Sequence, residues 1–231
     1  MAEKKPHDVK PHDVKPHDVK PHDVKPHDVK PHDVKPHDVK PMKPEEVLNL
    51  IHAQRGNAIC VPTMTTAPHW RTIAPDDLSV GCVGFMGGAS SLGLGLALAQ
   101  PDRRVLVLDG DGSLLMQLGS LATVAGAAPR NLVHFLFKNG VYHTSGAQGI
   151  PGGLTVDFVA MAKGAGYRMV CAIHDIEDFK RQLPGLLKAE GPVFVELHTG
   201  LAEQTPMTAR GGVPFPKQVS DLRAKLLKPR A

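Results

Sequence analysis

Residues 105–113 read Val-Leu-Val-Leu-Asp-Gly-Asp-Gly-Ser. A continuous apolar run stops at two carboxylates interleaved with two glycines, and a helix-forming stretch, SLLMQLGSLATVAGAA (113–128), follows. An apolar run with no polar alternation is the pattern of a strand buried on both faces, which occurs in parallel sheets covered by helices. Glycines at the end of such a strand let a ligand approach the backbone, and the helix start beyond them favours an anion such as phosphate. A carboxylate beside a phosphate is repulsive unless a cation lies between them. Mg²⁺ takes oxygen ligands, usually one or two from protein plus phosphate oxygens and water. The stretch therefore points to a diphosphate held through a divalent ion. Taken alone, Asp111 has another reading, as a cap for the helix near Ser113.

The surrounding sequence repeats the alternation. Strands are expected at 58–62, 78–83, 104–109, 132–137, 167–173 and 192–198. Helices are expected at 44–56, 87–100, 113–128, 157–166, 176–190 and 216–228, with 64–77 as a loop. This order predicts an α/β fold, three-layer αβα, with a mainly parallel sheet and ligands at the carboxyl ends of its strands. Gly93 and Gly95 lie inside the helical stretch rather than at a strand end, which excludes a dinucleotide fingerprint.

Residues 6–40 are seven tandem copies of PHDVK. A proline every fifth residue forbids a helix, and one valine per copy cannot offset the entropy of ordering. Residues 1–42 are expected to be a disordered tail, 43–201 one domain and 202–231 a C-terminal extension. The tail holds seven of the 13 histidines, which reads as slippage of a repeated unit or as metal capture. The formal charge of +4 is too mild to argue for nucleic acid. Cys60, Cys82 and Cys171 form no C-x-x-C, which excludes a zinc ribbon and suits a reducing compartment. No stretch is long and apolar enough to span a membrane, and the N-terminus lacks a signal-peptide pattern. The chain is expected to be cytoplasmic, with no nucleic-acid or membrane partner.

After 26 intervening residues, Gly112 is followed by Asn139-Gly-Val-Tyr-His-Thr-Ser-Gly-Ala-Gln148, at the end of the strand LVHFLFK. Asn139-Gly140 by itself reads as a turn. An amide oxygen and a bared carbonyl there could complete an octahedron begun by Asp111. G-D-G followed at this spacing by an Asn resembles the diphosphate-binding domain of thiamine-diphosphate enzymes. The stretch 86–148 is similar to beta subunits of sulfopyruvate and phosphonopyruvate decarboxylases, and the likeness runs more weakly over 45–200.

The resemblance implies thiamine diphosphate and Mg²⁺ as cofactors, with Asp111, Asn139 and the Val141 carbonyl as metal ligands. Gly112 and Ser113 would donate to the diphosphate, Gly110 would keep the turn open, and Tyr142 would join the cofactor site. Met86 matches the bulky residue that bends the cofactor, and reads otherwise as core filling. His143 stands where the family often has Glu, and is the candidate catalytic residue for proton movement; a surface or packing role is the alternative. Lys138 replaces an Asp or Asn. It could weaken the metal, greet an anionic substrate or face solvent. Thr144 and Ser145 invert the usual Ser-Thr order.

Such enzymes also need a domain for the aminopyrimidine and an activating glutamate. One diphosphate-binding domain fills the chain beyond the tail, so the resemblance implies a separate alpha subunit and an interfacial cofactor. The expected activity is decarboxylation of a small anionic 2-oxo acid, sulfopyruvate above all. An acetolactate-synthase-like carboligase subunit and a non-catalytic cofactor-binding subunit are the other readings.

Overall fold

The computed structural model describes residues 40–75, 78–153, 155–202 and 213–227. The PHDVK repeats, apart from Lys40, lie outside the described residues. Five strands form one sheet: β1 (Ile59–Pro62), β2 (Val105–Gly110), β3 (Leu132–Lys138), β7 (Val193–His198) and β6 (Met169–Ile173), in that spatial order. Every neighbouring pair in it is parallel. A separate two-residue hairpin pairs β4 (Val141–Tyr142) with β5 (Gln148–Gly149); the sequence pattern did not signal it.

Strand alternation divides the core into two layers. On one face Cys60, Leu106, Leu108, Val133, Phe135 and Val195 meet α1 (Pro44–Gln54), α2 (Ala67–Ile73) and α7 (Ile176–Lys188). On the other, Ile59, Val61, Val105, Val107, Leu136 and Phe194 meet α3 (Ala89–Ala99), α5 (Ser120–Ala127), α6 (Phe158–Ala165) and α8 (Phe215–Leu226). The expected three-layer αβα architecture is what forms. Among the described residues no helix is long and apolar enough to cross a membrane.

Four expectations change. The 64–77 loop contains α2, because Pro68 sits in the first turn, where its missing N–H costs nothing, and Ala67 and Trp70 bury one helical face. The 78–83 strand is reduced to two isolated bridges beside β1, Cys60 with Ser79 and Thr63 with Cys82. The single helix at 113–128 is split into α4 (Asp111–Leu115) and α5, with Gly119 as the residue before α5. Met42, assigned to the tail, is 3% exposed and donates its N–H to the His198 carbonyl at 3.2 Å, so the packed chain includes it.

Gly93 sets how closely α3 approaches the sheet, because a Cβ there would run into Val107 Cγ2. Gly93→Ala gains about 1 kcal/mol of helix propensity but overpacks the core, which costs about 1–3 kcal/mol. The expected result is a lower melting temperature, read by circular dichroism.

Candidate cofactor site

The carboxyl ends of β1, β2 and β3 converge on one open cleft with about 350 Å³ of empty space. Thr63, Met64 and Thr65 line it from beyond β1, Gly110 to Ser113 from the end of β2 and beyond, and Val141 to Ser145 from β4 and the short 3₁₀ turn between β4 and β5. Met86 closes another side.

The two carboxylates of the opening motif face different surroundings. Asp109 is fully buried; its Oδ1 accepts from the Gly110 N–H at 2.9 Å, and its Oδ2 lies 3.5 Å from His134 Nε2. Asp111 lines the cleft, yet is only 1% exposed. Its Oδ1 accepts from the Gly112 N–H at 2.7 Å, and its Oδ2 accepts from the N–H groups of Asn139 at 2.9 Å and Gly140 at 2.6 Å. Burial pushes its carboxyl above the usual range, against the opposing pull of those three N–H groups and of the Lys138 charge.

A carboxylate offers about four lone-pair sites. Three are taken here, and the remaining one is on Oδ1. Asn139 Oδ1 accepts from the Val141 N–H at 3.0 Å, which leaves that amide oxygen one lone pair as well. Asn139 does not itself line the cleft; its backbone holds Asp111 from behind. Gly140, at φ +75°, makes the tight turn between them.

The other expected residues divide. Gly110 lines the cleft, and a Cβ on it would meet open space. Gly112 must be glycine for a different reason: a Cβ there would lie 2.7 Å from the Tyr142 ring. Its N–H is engaged by Asp111, so the structure gives that donor to the carboxylate. Ser113 Oγ accepts from the Gly87 N–H at 3.1 Å, which ties the Met86 turn to the helix start and leaves the hydroxyl proton free to donate. His143 lines the cleft half-buried, with Nδ1 buried and unpaired.

Lys138 is largely buried and does not line the cleft. Its ammonium bonds Glu196 Oε1 and the Val156 carbonyl, both at 3.1 Å. Cys82, pushed up to about 11 by burial and the Asp109 charge, is protonated at neutral pH and is no nucleophile. Sequence reasoning missed Thr63, Met64, Thr65, Glu196 and His134. The first three follow β1, and the rule that ligands sit at carboxyl strand ends was the signal for them.

Residues 59–197 match the family model described as thiamine pyrophosphate enzyme, C-terminal TPP binding domain. The chain belongs to this family.

Among relatives of this thiamine pyrophosphate domain, the chain is 44% identical over 140 residues to a phosphonopyruvate decarboxylase of Streptomyces hygroscopicus, covering 61% of this chain and 34% of that one. It is 44% identical over 115 residues to a sulfopyruvate decarboxylase subunit beta of Methanothermobacter thermautotrophicus, covering 50% of this chain and 58% of that one. The aligned part thus spans about a third of the first relative and somewhat over half of the second. The fold also matches a solved thiamine diphosphate-dependent 4-hydroxybenzoylformate decarboxylase of Rhodococcus jostii RHA1, with a TM-score of 0.58 at 24% identity, over 70% of this chain and 33% of that one. In the thiamine pyrophosphate domain of this chain, the cleft at the ends of β1, β2 and β3 is where Asp111 stands.

Proposed function

We propose that this chain is the diphosphate- and magnesium-holding subunit of a thiamine-diphosphate-dependent 2-oxo-acid decarboxylase, similar to the sulfopyruvate decarboxylase beta subunit. The observation that carries it is the buried Asp111 carboxylate at the cleft, paired with backbone N–H groups and, among the described residues, with no basic side chain bonded to it. A buried anion so placed calls for a cation. Among the described residues no group of three or more His, Cys, Asp or Glu side chains is placed to hold a metal alone. The donor set suits Mg²⁺, which accepts few protein oxygens and completes its shell with phosphate and water.

Asp111 Oδ1, Asn139 Oδ1 and the Val141 carbonyl would hold Mg²⁺. The Ser113 hydroxyl and the start of α4 would receive the diphosphate, and the open space at Gly110 admits it. Tyr142, packed against Gly112, fixes the helix start, and Met86 presents its thioether side chain to the cleft. When bound, thiamine diphosphate supplies the electron sink for loss of CO₂. His143, which lines the cleft and whose buried Nδ1 has no partner, would be the group of this chain that holds or passes a proton.

The cleft is open, and among the described residues none that lines it is a glutamate. Phe85, next to Met86, is 64% exposed, and Val83 and Met116 are also exposed. A second protein surface fits there, carrying the aminopyrimidine site and the activating glutamate, so the assembly is a hetero-oligomer. Cys60, Cys82 and Cys171 are not joined in disulfides, which suits the cytoplasm.

The test supplies the assembled complex with sulfopyruvate, phosphonopyruvate and pyruvate and follows CO₂ and product. Turnover is expected with an anionic substituted pyruvate, giving the aldehyde. An acetohydroxy acid as the main product would indicate a carboligase, and no turnover on any substrate would leave a cofactor-binding subunit without catalysis.

A further inference from the structure

Lys138 is bonded through its own carbonyl carbon to the Asn139 nitrogen, whose N–H binds Asp111 Oδ2 at 2.9 Å. Its four-carbon stem is long enough to bring the ammonium to that carboxylate, and the Lys138 charge already acts on Asp111. A cation free to settle there would compete with any metal for Asp111. The side chain is instead drawn away by three contacts: Glu196 Oε1 at 3.1 Å, the Val156 carbonyl at 3.1 Å and the Phe158 ring at 5.7 Å. Glu196 comes from β7, its side chain is 5% exposed, and it also receives His198 Nε2 at 2.7 Å. Burial raises the Glu196 carboxyl, but His198 and Lys138 outweigh it and hold the group below its usual range. It is therefore a fixed anion at neutral pH.

We propose that Glu196 is a positioning residue that sequesters the Lys138 ammonium and so keeps Asp111 free for a divalent cation. The inference rests on the reading of Asp111 as a metal ligand. It makes a lysine beside the metal turn compatible with metal binding, and it ties that lysine to a buried acid one strand away.

The experiment measures Mn²⁺ binding to the full chain with thiamine diphosphate present, by the loss of the free Mn²⁺ paramagnetic resonance signal. Folding is checked by circular dichroism. Glu196→Gln removes the anion while keeping its shape, and is expected to weaken Mn²⁺ about tenfold, the scale of one unit charge moved a few ångström in a partly screened site. Glu196→Asp, which shortens the side chain by one methylene, serves if Glu196→Gln does not fold, and should weaken Mn²⁺ to a lesser degree. Lys138→Met/Glu196→Gln removes both charges and should restore wild-type affinity or better. Rescue by the second substitution is what a merely structural role for Glu196 would not produce. Unchanged affinity in folded Glu196→Gln, or a double variant as weak as Glu196→Gln, overturns the inference. Asp111→Asn separates the two claims: if it binds Mn²⁺ like wild type, the metal reading itself fails. If it loses Mn²⁺ while Glu196→Gln does not, only the positioning role fails.

Discussion

Asp111→Asn is expected to lower Mg²⁺-dependent affinity for thiamine diphosphate by roughly 100-fold, about 3 kcal/mol. The substitution keeps the side chain's size but removes the one carboxylate that the described residues of the cleft offer a cation. In this buried position beside an open cleft a unit-charge contact is worth about that much at an effective dielectric constant near 20. The fold should survive, because Asp111 is held by backbone N–H groups rather than by a salt bridge, and an amide oxygen can still accept from Asn139 and Gly140. Asn139→Ala should cost less, about tenfold, since it removes a neutral ligand and leaves the backbone N–H on Asp111 in place. Calorimetric titration with thiamine diphosphate, with and without Mg²⁺, reads both. Wild-type affinity in a folded Asp111→Asn variant would place the cation elsewhere.

The second large effect is dependence on a partner. The cleft is walled by residues following β1, β2 and β3, so much of a bound thiamine would stay in contact with water. The purified chain is therefore expected to bind the cofactor weakly and to show negligible decarboxylation even with saturating Mg²⁺. Adding the subunit that carries the aminopyrimidine site should raise turnover and cofactor affinity together, because both depend on one interface. Apolar residues exposed beside the cleft, Phe85 and Met116 among them, should become protected from solvent in the complex, as hydrogen exchange across residues 83–88 would show. Robust turnover by the chain alone would contradict the shared site and require an activating acid within this chain.

The sheet was legible because its strands are mostly apolar on both faces. VLVLD and LVHFLF have no polar face, and only a sheet covered on both sides buries such runs. The 64–77 stretch misled for a local reason. Two prolines and several polar residues read as a loop, but one helical face built from Ala67 and Trp70 outweighed them. The 113–128 break was hidden because leucines continue in helical spacing through Gly119. In the site, Asp111, Gly112 and Ser113 could be read from their own chain neighbourhood. Glu196 could not, since it reaches Lys138 only through the β3–β7 pairing. The same limit applied to His134, which meets Asp109 across β2 and β3. Partners set by strand order are invisible until the order is known.

The central claim is that Asp111 holds a divalent cation between the protein and a diphosphate. Anomalous diffraction from crystals grown with Mn²⁺ and thiamine diphosphate tests it most directly. The account predicts one strong manganese peak bonded to Asp111 Oδ1, Asn139 Oδ1 and the Val141 carbonyl, with diphosphate oxygens among its remaining ligands. A diphosphate in the cleft with no manganese at Asp111, or manganese bound elsewhere, would contradict it.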